Sequence, residues 1–311
     1  VLTYSFGVVR LAANDVSYRP HQYVKIIQPN ILQHEKWTHS KMQGHYESLI
    51  SLSKDDKSAS LTEEDSVLII WPETASSSFI FRQSGNQDLL SSMLSDHKGT
   101  AYLLSGILHH WDASRFSNAA ALYDTNAHQL TLYNKSKLVP FGEFIPFQKW
   151  IPLTPITQFN GFIRGDGAVS YSLPSGLRYQ TLICYEVIFP GFVNLESKTK
   201  PELLINITND AWYGRSAGPH QHLLHARYRA IETGIPIVRS ANTGISALFD
   251  SMGRVLYRSN LFTEASELLP VPESVKTFSK GSFLENILFL IIIMKILFAC
   301  LFFSICRSNA N

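Results

Sequence analysis

The sequence predicts an α/β fold built on a mixed sheet or sheets, on three observations. Short continuous apolar runs such as VLIIW (67–71) and YLLSGIL (102–108) stop abruptly at Pro or polar residues, the pattern of strands buried on both faces. Stretches with the apolar repeat of an amphipathic helix lie between some of these runs. Hairpin patterns at 119–135 and 245–257 add antiparallel pairing to the strand–helix alternation. Periodicity leaves one sheet or two open.

Taken in order, QYVKIIQPN (22–30) reads as a strand closed by a Pro-Asn turn. Residues 39–53 carry a helical period through Met42, Tyr46, Leu49 and Ile50. KDDKSASLTEED (54–65) reads as a polar surface loop, and VLIIWPET (67–74) as a buried strand broken by Pro72. YLLSGIL is another strand, and AAALYDTNAHQLTLYNK (119–135) a hairpin turning at Asp124–Ala127. Residues 138–165 are rich in Pro and Gly without a period and read as an irregular loop over the site. RYQTLICYE, LLINITND and IPIVRSAN give three more strands. Between the last two, HQHLLHARYRAIETG (220–234) is helical and stops at Gly234. ISALFDSMGRVLY (245–257) is a hairpin around Ser251–Gly253.

Composition bounds the function. The 311 residues are 45% hydrophobic and 17% charged, enough apolar material for a sizeable core. A net charge of +2 without a dense Lys/Arg stripe argues against nucleic acid as partner. Of the three cysteines, Cys300 and Cys306 lie in an apolar tail, so no disulfide framework is readable and Cys184 is expected to be a free thiol. That tail, NILFLIIIMKILFACLFFSIC (286–306), is long enough to span a bilayer as a helix. Lys295 at its middle costs about 2.5–3.5 kcal/mol, and each Leu, Ile or Phe returns about 0.3–0.6. Fourteen such residues between Ile287 and Ile305 leave insertion favoured. The opening VLTYSFGVVRLAA lacks the pattern of a signal peptide and is too short to span. His220, His222 and His225 invite a metal reading, but on a helix His220 sits roughly opposite the other two and no Cys or carboxylate nearby in sequence completes a set, so no metal and no cofactor are expected.

Three reactive side chains come where buried runs stop: Glu73 after VLIIWP, Lys135 after LTLYN, Cys184 after YQTLI. Strand ends and their loops are where scaffolds place chemistry. Singly, each has a plain explanation: a solvated loop acid, an edge charge, a core thiol. Together, the strings WPET, NKSKLVPFGEF, LICYE and TNDAWYG, in that order, resemble the nitrilase or carbon–nitrogen hydrolase superfamily, with its Glu–Lys–Cys triad. More narrowly, LVPFGEFIPF, ICYE, NDAWYG and RSANTGISA resemble the bacterial apolipoprotein N-acyltransferase family.

That resemblance implies a nitrilase-like four-layer αββα sandwich with mixed sheets, followed by one C-terminal transmembrane helix. Residues 1–19 would be the stub of an N-terminal membrane domain, 20–275 the catalytic domain and 283–306 the membrane helix. Glu73 matches the general base, Lys135, eight residues before Glu143, the triad lysine, and Cys184 the nucleophile. Glu143 and Glu186 match accessory acidic positions, Tyr185 stands between nucleophile and acid in the CYE string, and Trp37 of HEKW resembles an aromatic near the substrate entrance. Lys137 stands where many relatives carry His, and His220 where many carry Trp. The implied partners are a membrane phospholipid as acyl donor and a diacylated apolipoprotein as acceptor, at the periplasmic face of a bacterial inner membrane. In that chemistry Glu73 takes the thiol proton, which requires a desolvated carboxyl with a raised pKa when it later gives the proton back. Lys135 and a backbone N–H after Cys184 are the expected donors to the developing oxyanion. A membrane-tethered amidase or nitrilase with water as acceptor, and an inactive lipid- or lipoprotein-binding scaffold, are the alternatives. The apolar tail favours a lipid substrate, and the aromatics Phe141, Phe144, Phe147, Trp150, Phe159 and Phe162 offer apolar surface for acyl chains or the bilayer, or else plain core packing.

Overall fold

The computed structural model describes residues 2–54, 61–112, 115–146, 162–195 and 200–275, with 291, 294 and 295. In chain order the elements are α1 (Leu2–Ala12), β1 (Tyr18–Gln28), α2 (His39–Ser53), β2 (Ser66–Ile70), β3 (Ser76–Ser77), α3 (Ser84–Ser95), β4 (Thr100–His110), β5 (Phe116–Tyr123) and β6 (Gln129–Asn134). They continue with β7 (Ser170–Ser172), β8 (Arg178–Ile183), β9 (Leu203–Thr208), α4 (Gly218–Thr233), β10 (Ile237–Ala241), β11 (Ala247–Phe249), β12 (Val255–Arg258) and β13 (Ala265–Pro272).

Two sheets form. The first runs β13, β1, β2, β4, β5, β6, with β3 on β4; the second runs β12, β11, β10, β9, β8, β7. Each is mixed: β1–β2–β4 and β8–β9–β10 pair in parallel, and the flanking strands antiparallel. The apolar runs explain the layering, because alternate residues of one strand serve different cores. Val67 and Ile69 of β2 pack with Tyr46 and Leu49 of α2 and Leu90 and Leu94 of α3. Leu68 and Ile70 pack instead against Tyr179, Ile205 and Val238 of the second sheet. On that sheet's other face Leu182, Leu204 and Ile237 meet Leu223, Ala226 and Ala230 of α4. The order is therefore helices, sheet, sheet, helix. Each fully buried aliphatic side chain contributes about 1.5–3 kcal/mol, so the seam between the sheets holds them firmly in register.

The strands and helices expected between residues 20 and 275 are present. Helices α1 and α3 and strands β3, β7 and β13 are additional. In the 54–65 segment Thr62, Glu63 and Glu64 are exposed as expected, but Leu61 is buried, and buried Asp65 accepts hydrogen bonds from the Thr62 N–H and hydroxyl, at 2.6 and 2.9 Å. Residues 55–60, and 147–161 of the 138–165 loop with Phe147, Trp150 and Phe159, lie outside the described residues. So does the apolar tail apart from Ile291, Met294 and Lys295; among the described residues no helix is long and apolar enough to cross a membrane.

Candidate active site

The site starts where β2 ends. Trp71 is fully buried, its indole N–H donates to Ser53 Oγ (2.8 Å), and its ring meets Tyr46 edge-on. This fixes the chain as it turns through Pro72 into Glu73. Gly106 of β4 lies against the same turn: a Cβ there would sit 2.3 Å from the Pro72 carbonyl oxygen and 2.6 Å from Glu73 Cα, so only glycine lets the turn approach.

Glu73 is buried in a cage of donors. Its Oε1 accepts from Asn118 Nδ2 (2.6 Å) and Lys135 Nζ (3.3 Å), and its Oε2 from the Asn209 N–H (2.8 Å). Lys135 follows β6 directly; its N–H is tied to the Asn118 carbonyl at 2.8 Å. Its ammonium donates at 2.8 Å to Glu143 Oε1, which also accepts from Asn118 Nδ2 (3.1 Å), while Glu143 Oε2 accepts from the Val139 N–H (2.8 Å). One buried ammonium thus serves two buried carboxylates. Burial opposes the charge of Lys135, but Glu73 and Glu143 outweigh it and hold the ammonium above its ordinary range. Burial likewise pushes Glu73 up, but Lys135, Asn118 and Lys36 carry it below its ordinary 4.5. The expected desolvation of Glu73 is present; the expected upward shift is not, because the ammonium overrides it.

Cys184 begins a short 3-10 turn, Cys184–Ile188, at the end of β8. Its φ is +48°, a left-handed conformation uncommon outside glycine. The half-buried thiol is pushed up by burial first and then by the charges of Glu73 and Asp210, against the pull of Lys135. It therefore rests as a thiol, and Lys135 does not ionise it unaided. The site also holds a second cation that sequence spacing did not reveal. Buried Lys36 donates to the Glu73 carbonyl (3.0 Å) and Thr74 Oγ1 (2.7 Å). Burial brings its pKa down to about 8, against the opposing influence of Glu73 and Cys184.

The accessory positions divide. Glu186, fully buried, accepts five hydrogen bonds. Tyr133 OH, Ser136 N–H and hydroxyl, and Lys137 N–H reach Oε1 at 2.8, 2.7, 3.1 and 3.1 Å, and the Ile183 N–H reaches Oε2 at 2.8 Å. It staples the loop after β6 to the end of β8. Truncating it strands several buried donors, so Glu186→Ala is expected to destabilise the fold by about 3 kcal/mol or more, read from the urea midpoint. Tyr185 is half-buried, edge-on to Phe189 at 5.0 Å. Trp37 is 38% exposed, with the Lys36 ammonium 5.8 Å from its ring centre; Phe141 and Phe144 are also exposed. Phe162 lies beside the site, its N–H on the Glu143 carbonyl at 3.1 Å.

His222 is held at both ring nitrogens. A carboxylate does approach it: Asp210 Oδ1 is 2.9 Å from Nδ1, while Nε2 is 3.1 Å from the Cys184 carbonyl oxygen. Asp210 lies twelve residues upstream on another turn, so sequence neighbourhood did not connect them.

A glutamate, a lysine and a cysteine at strand ends of an αββα sandwich match a known family. The model of the carbon–nitrogen hydrolase family matches residues 24–269. The chain belongs to the carbon–nitrogen hydrolase family. Within it, the chain is similar to the apolipoprotein N-acyltransferases of Rickettsia prowazekii, 34% identical over 94% of this chain and 59% of that protein, and of Rhodopseudomonas palustris, 33% identical over 94% and 56%. It thus spans less than two thirds of the length of these curated relatives. Among solved structures, an amidase from Nesterenkonia sp. shares the fold with a TM-score of 0.57 at 17% identity, over 84% of this chain and 94% of that one. A hydrolase-superfamily protein from Xanthomonas campestris, XC1258, does so with a TM-score of 0.56 at 15% identity, over 80% and 89%.

Proposed function

We propose that this hydrolase-family chain transfers an acyl group from a membrane phospholipid to the N-terminal amine of a diacylglyceryl-cysteine lipoprotein, through a thioester on Cys184. The observation that carries the chemistry is the Lys135 ammonium held between Glu73 and Glu143 beside a neutral thiol.

Because the thiol rests protonated and Glu73 rests ionised, general-base attack is the route that fits. Glu73 takes the thiol proton as sulfur bonds to the ester carbonyl carbon. The carbonyl oxygen gathers negative charge, stabilised by Lys135 and the Tyr185 N–H; losing one such donor costs about 10²–10³ in rate. The tetrahedral intermediate collapses, the ester C–O bond breaks, and Glu73 returns its proton to the lysophospholipid alkoxide. The acceptor amine then attacks the thioester, Glu73 accepts its proton, and the C–S bond breaks with the proton going to sulfur. Glu143 supports this by keeping Lys135 charged throughout.

The similarity to curated N-acyltransferases supports an amine as acceptor, and the apolar 286–306 segment supports a membrane-borne donor. In this reading residues 1–19 adjoin a preceding membrane part, 20–275 form the catalytic domain and 283–306 a membrane helix. The catalytic domain faces the periplasm of a bacterial inner membrane. Trp37, Phe141 and Phe144 would receive the acyl chains.

The test uses the full chain in vesicles of phosphatidylethanolamine and phosphatidylglycerol. An acyl mass shift on Cys184, removed by neutral hydroxylamine, is expected. A diacylated Cys-peptide added next should become N-acylated. Free fatty acid with no acylated peptide would make water the acceptor, and no mass shift at all would leave a binding scaffold.

A further inference from the structure

We propose that His222, gripped by Asp210 and Arg239, is a positioning residue that orients the Cys184–Tyr185 peptide, setting both the nucleophile's backbone and the N–H that follows it.

Cys184 occupies a conformation that L-residues adopt at a cost, of order 1–3 kcal/mol, so its surroundings must impose it. Two contacts flank it. On one side Glu186 holds the Ile183 N–H. On the other, His222 Nε2 meets the Cys184 carbonyl oxygen at 3.1 Å. A carbonyl only accepts, so Nε2 donates. The other ring nitrogen meets Asp210 Oδ1 at 2.9 Å. Burial would raise the Asp210 carboxyl, but Arg239 and His222 bring it to about 2, so it too is an acceptor. Arg239 Nη2 also lies 3.3 Å from Nδ1, so the contact to the Cys184 carbonyl is the one that fixes a proton, on Nε2.

The grip continues inward. Arg239 Nη2 donates to Asp210 Oδ2 at 2.5 Å, Nε donates to the Ile245 carbonyl at 3.2 Å, and Nη1 donates to Asn206 Oδ1. Asn206 Nδ2 in turn donates to the Leu182 carbonyl (2.8 Å), two residues before the nucleophile. Gly244 closes the packing: a Cβ there would lie 2.4 Å from Asp210 Oδ2. The circuit thus leaves β8 at Leu182 and returns to the same segment at Cys184. None of these side chains is required for proton transfer.

A trans peptide is planar, with its carbonyl and N–H pointing in opposite directions. Turning the Cys184 carbonyl to His222 therefore turns the Tyr185 N–H to the other side. That N–H lies in the first turn of the 3-10 segment, where no acceptor within the segment is available. In the thioester reading, on which this inference rests, it is the oxyanion donor. His222 then acts through the backbone, on acylation more than on thiol reactivity.

The experiment compares His222→Ala and His222→Gln in the full chain, with para-nitrophenyl butyrate as acyl donor and iodoacetamide as alkylating probe. Alkylation has no oxyanion; acylation does. For His222→Ala, first-turnover release of para-nitrophenol is expected to slow about 10²-fold, while alkylation of Cys184 stays within about threefold. The Gln side chain places an N–H₂ near the position of Nε2, so His222→Gln should recover most of the acylation rate. Selective carbon-13 labelling of cysteine, assigned with Cys184→Ser, reads the backbone directly: the Cys184 Cα and Cβ shifts should move in the Ala variant and return in the Gln variant. Should His222→Ala fail to fold, Asp210→Asn takes its place in each measurement. Acylation unchanged, or falling in step with alkylation, or not restored by Gln, overturns the proposal. If the parent chain releases no first-turnover product, the thioester reading has failed, and the labelled Cys184 shifts alone decide the role of His222. Butyrate transfer without phospholipid transfer would instead count only against the lipid donor.

Discussion

Cys184→Ser is expected to abolish acyl-enzyme formation, slowing it by on the order of 10⁴–10⁶-fold, while the protein stays folded. Serine keeps the Cβ and nearly the shape of cysteine, and any residue with a Cβ meets the same left-handed backbone at this position. Melting temperature should therefore shift little, as for a half-buried, near-isosteric change. The chemistry responds differently. Glu73 lies below its ordinary 4.5 and is a weak base, adequate for sulfur only because the proton leaves as the C–S bond forms. A hydroxyl holds its proton far more tightly, beyond what a carboxylate held below its ordinary range removes. Intact-mass measurement of the acyl adduct, beside a thermal melt, checks both halves. Full activity in the serine variant would remove the thiol from the mechanism.

The second large effect is on stability. Lys135→Met should cost about 3–5 kcal/mol, because it leaves two buried carboxylates without their shared cation. For a domain of this size that is a fall of roughly 6–20 °C in melting temperature. The pH dependence identifies the cause. In the parent, Glu73 has a folded pKa below the unfolded value, so its contribution is fully present above about pH 4.5 and is lost as pH falls through the lower folded pKa. Burial is already the largest influence on Glu73, and without the ammonium it is opposed only by Asn118, Lys36 and the Asn209 N–H, so the folded pKa moves up from its parent position. The variant therefore keeps less of the stability that ionised Glu73 brings above the unfolded value. The gap between parent and variant should be widest near neutrality and narrow toward about pH 4. Adding Glu143→Gln, which removes one of the stranded charges, should recover part of the loss. A gap independent of pH would mean that shape, not charge, had been removed.

What the sequence disclosed follows from how each part is encoded. β2 and β9 were readable because VLII is apolar on both faces and LLINIT is apolar but for buried Asn206 and Thr208, as strands between two packed layers tend to be. β13 was hidden by its prolines; Pro270 and Pro272 pair with Tyr23 and Tyr18 on a strand at the sheet margin, the position that tolerates a missing donor. α3 was hidden by composition, since SGNQDLLSSMLS has the polar small residues of a loop around Leu90, Met93 and Leu94. Glu73, Lys135 and Cys184 stood out because each closes an apolar run within a distinctive string. Asn118, Lys36, Asp210 and His222 did not, because their importance lies only in convergence: Asn118 reaches Glu73 across 45 positions and Asn209 reaches it across 136. Local pattern carries no trace of such meetings.

The acid and the ammonium hang from β2 and β6 in one sheet, whereas the sulfur and the Asn209 amide hang from β8 and β9 in the other. The packed seam, the Glu186 staple and hydrogen bonds such as Ser240 Oγ to the Ile27 carbonyl (2.8 Å) keep the two halves in step. The reacting atoms therefore behave as a vernier on how the layers are seated, and a slip of a fraction of an ångström deep in the seam would throttle turnover well before the fold melted. Variation among the greasy residues there offers a way to retune speed without altering a single group that handles substrate.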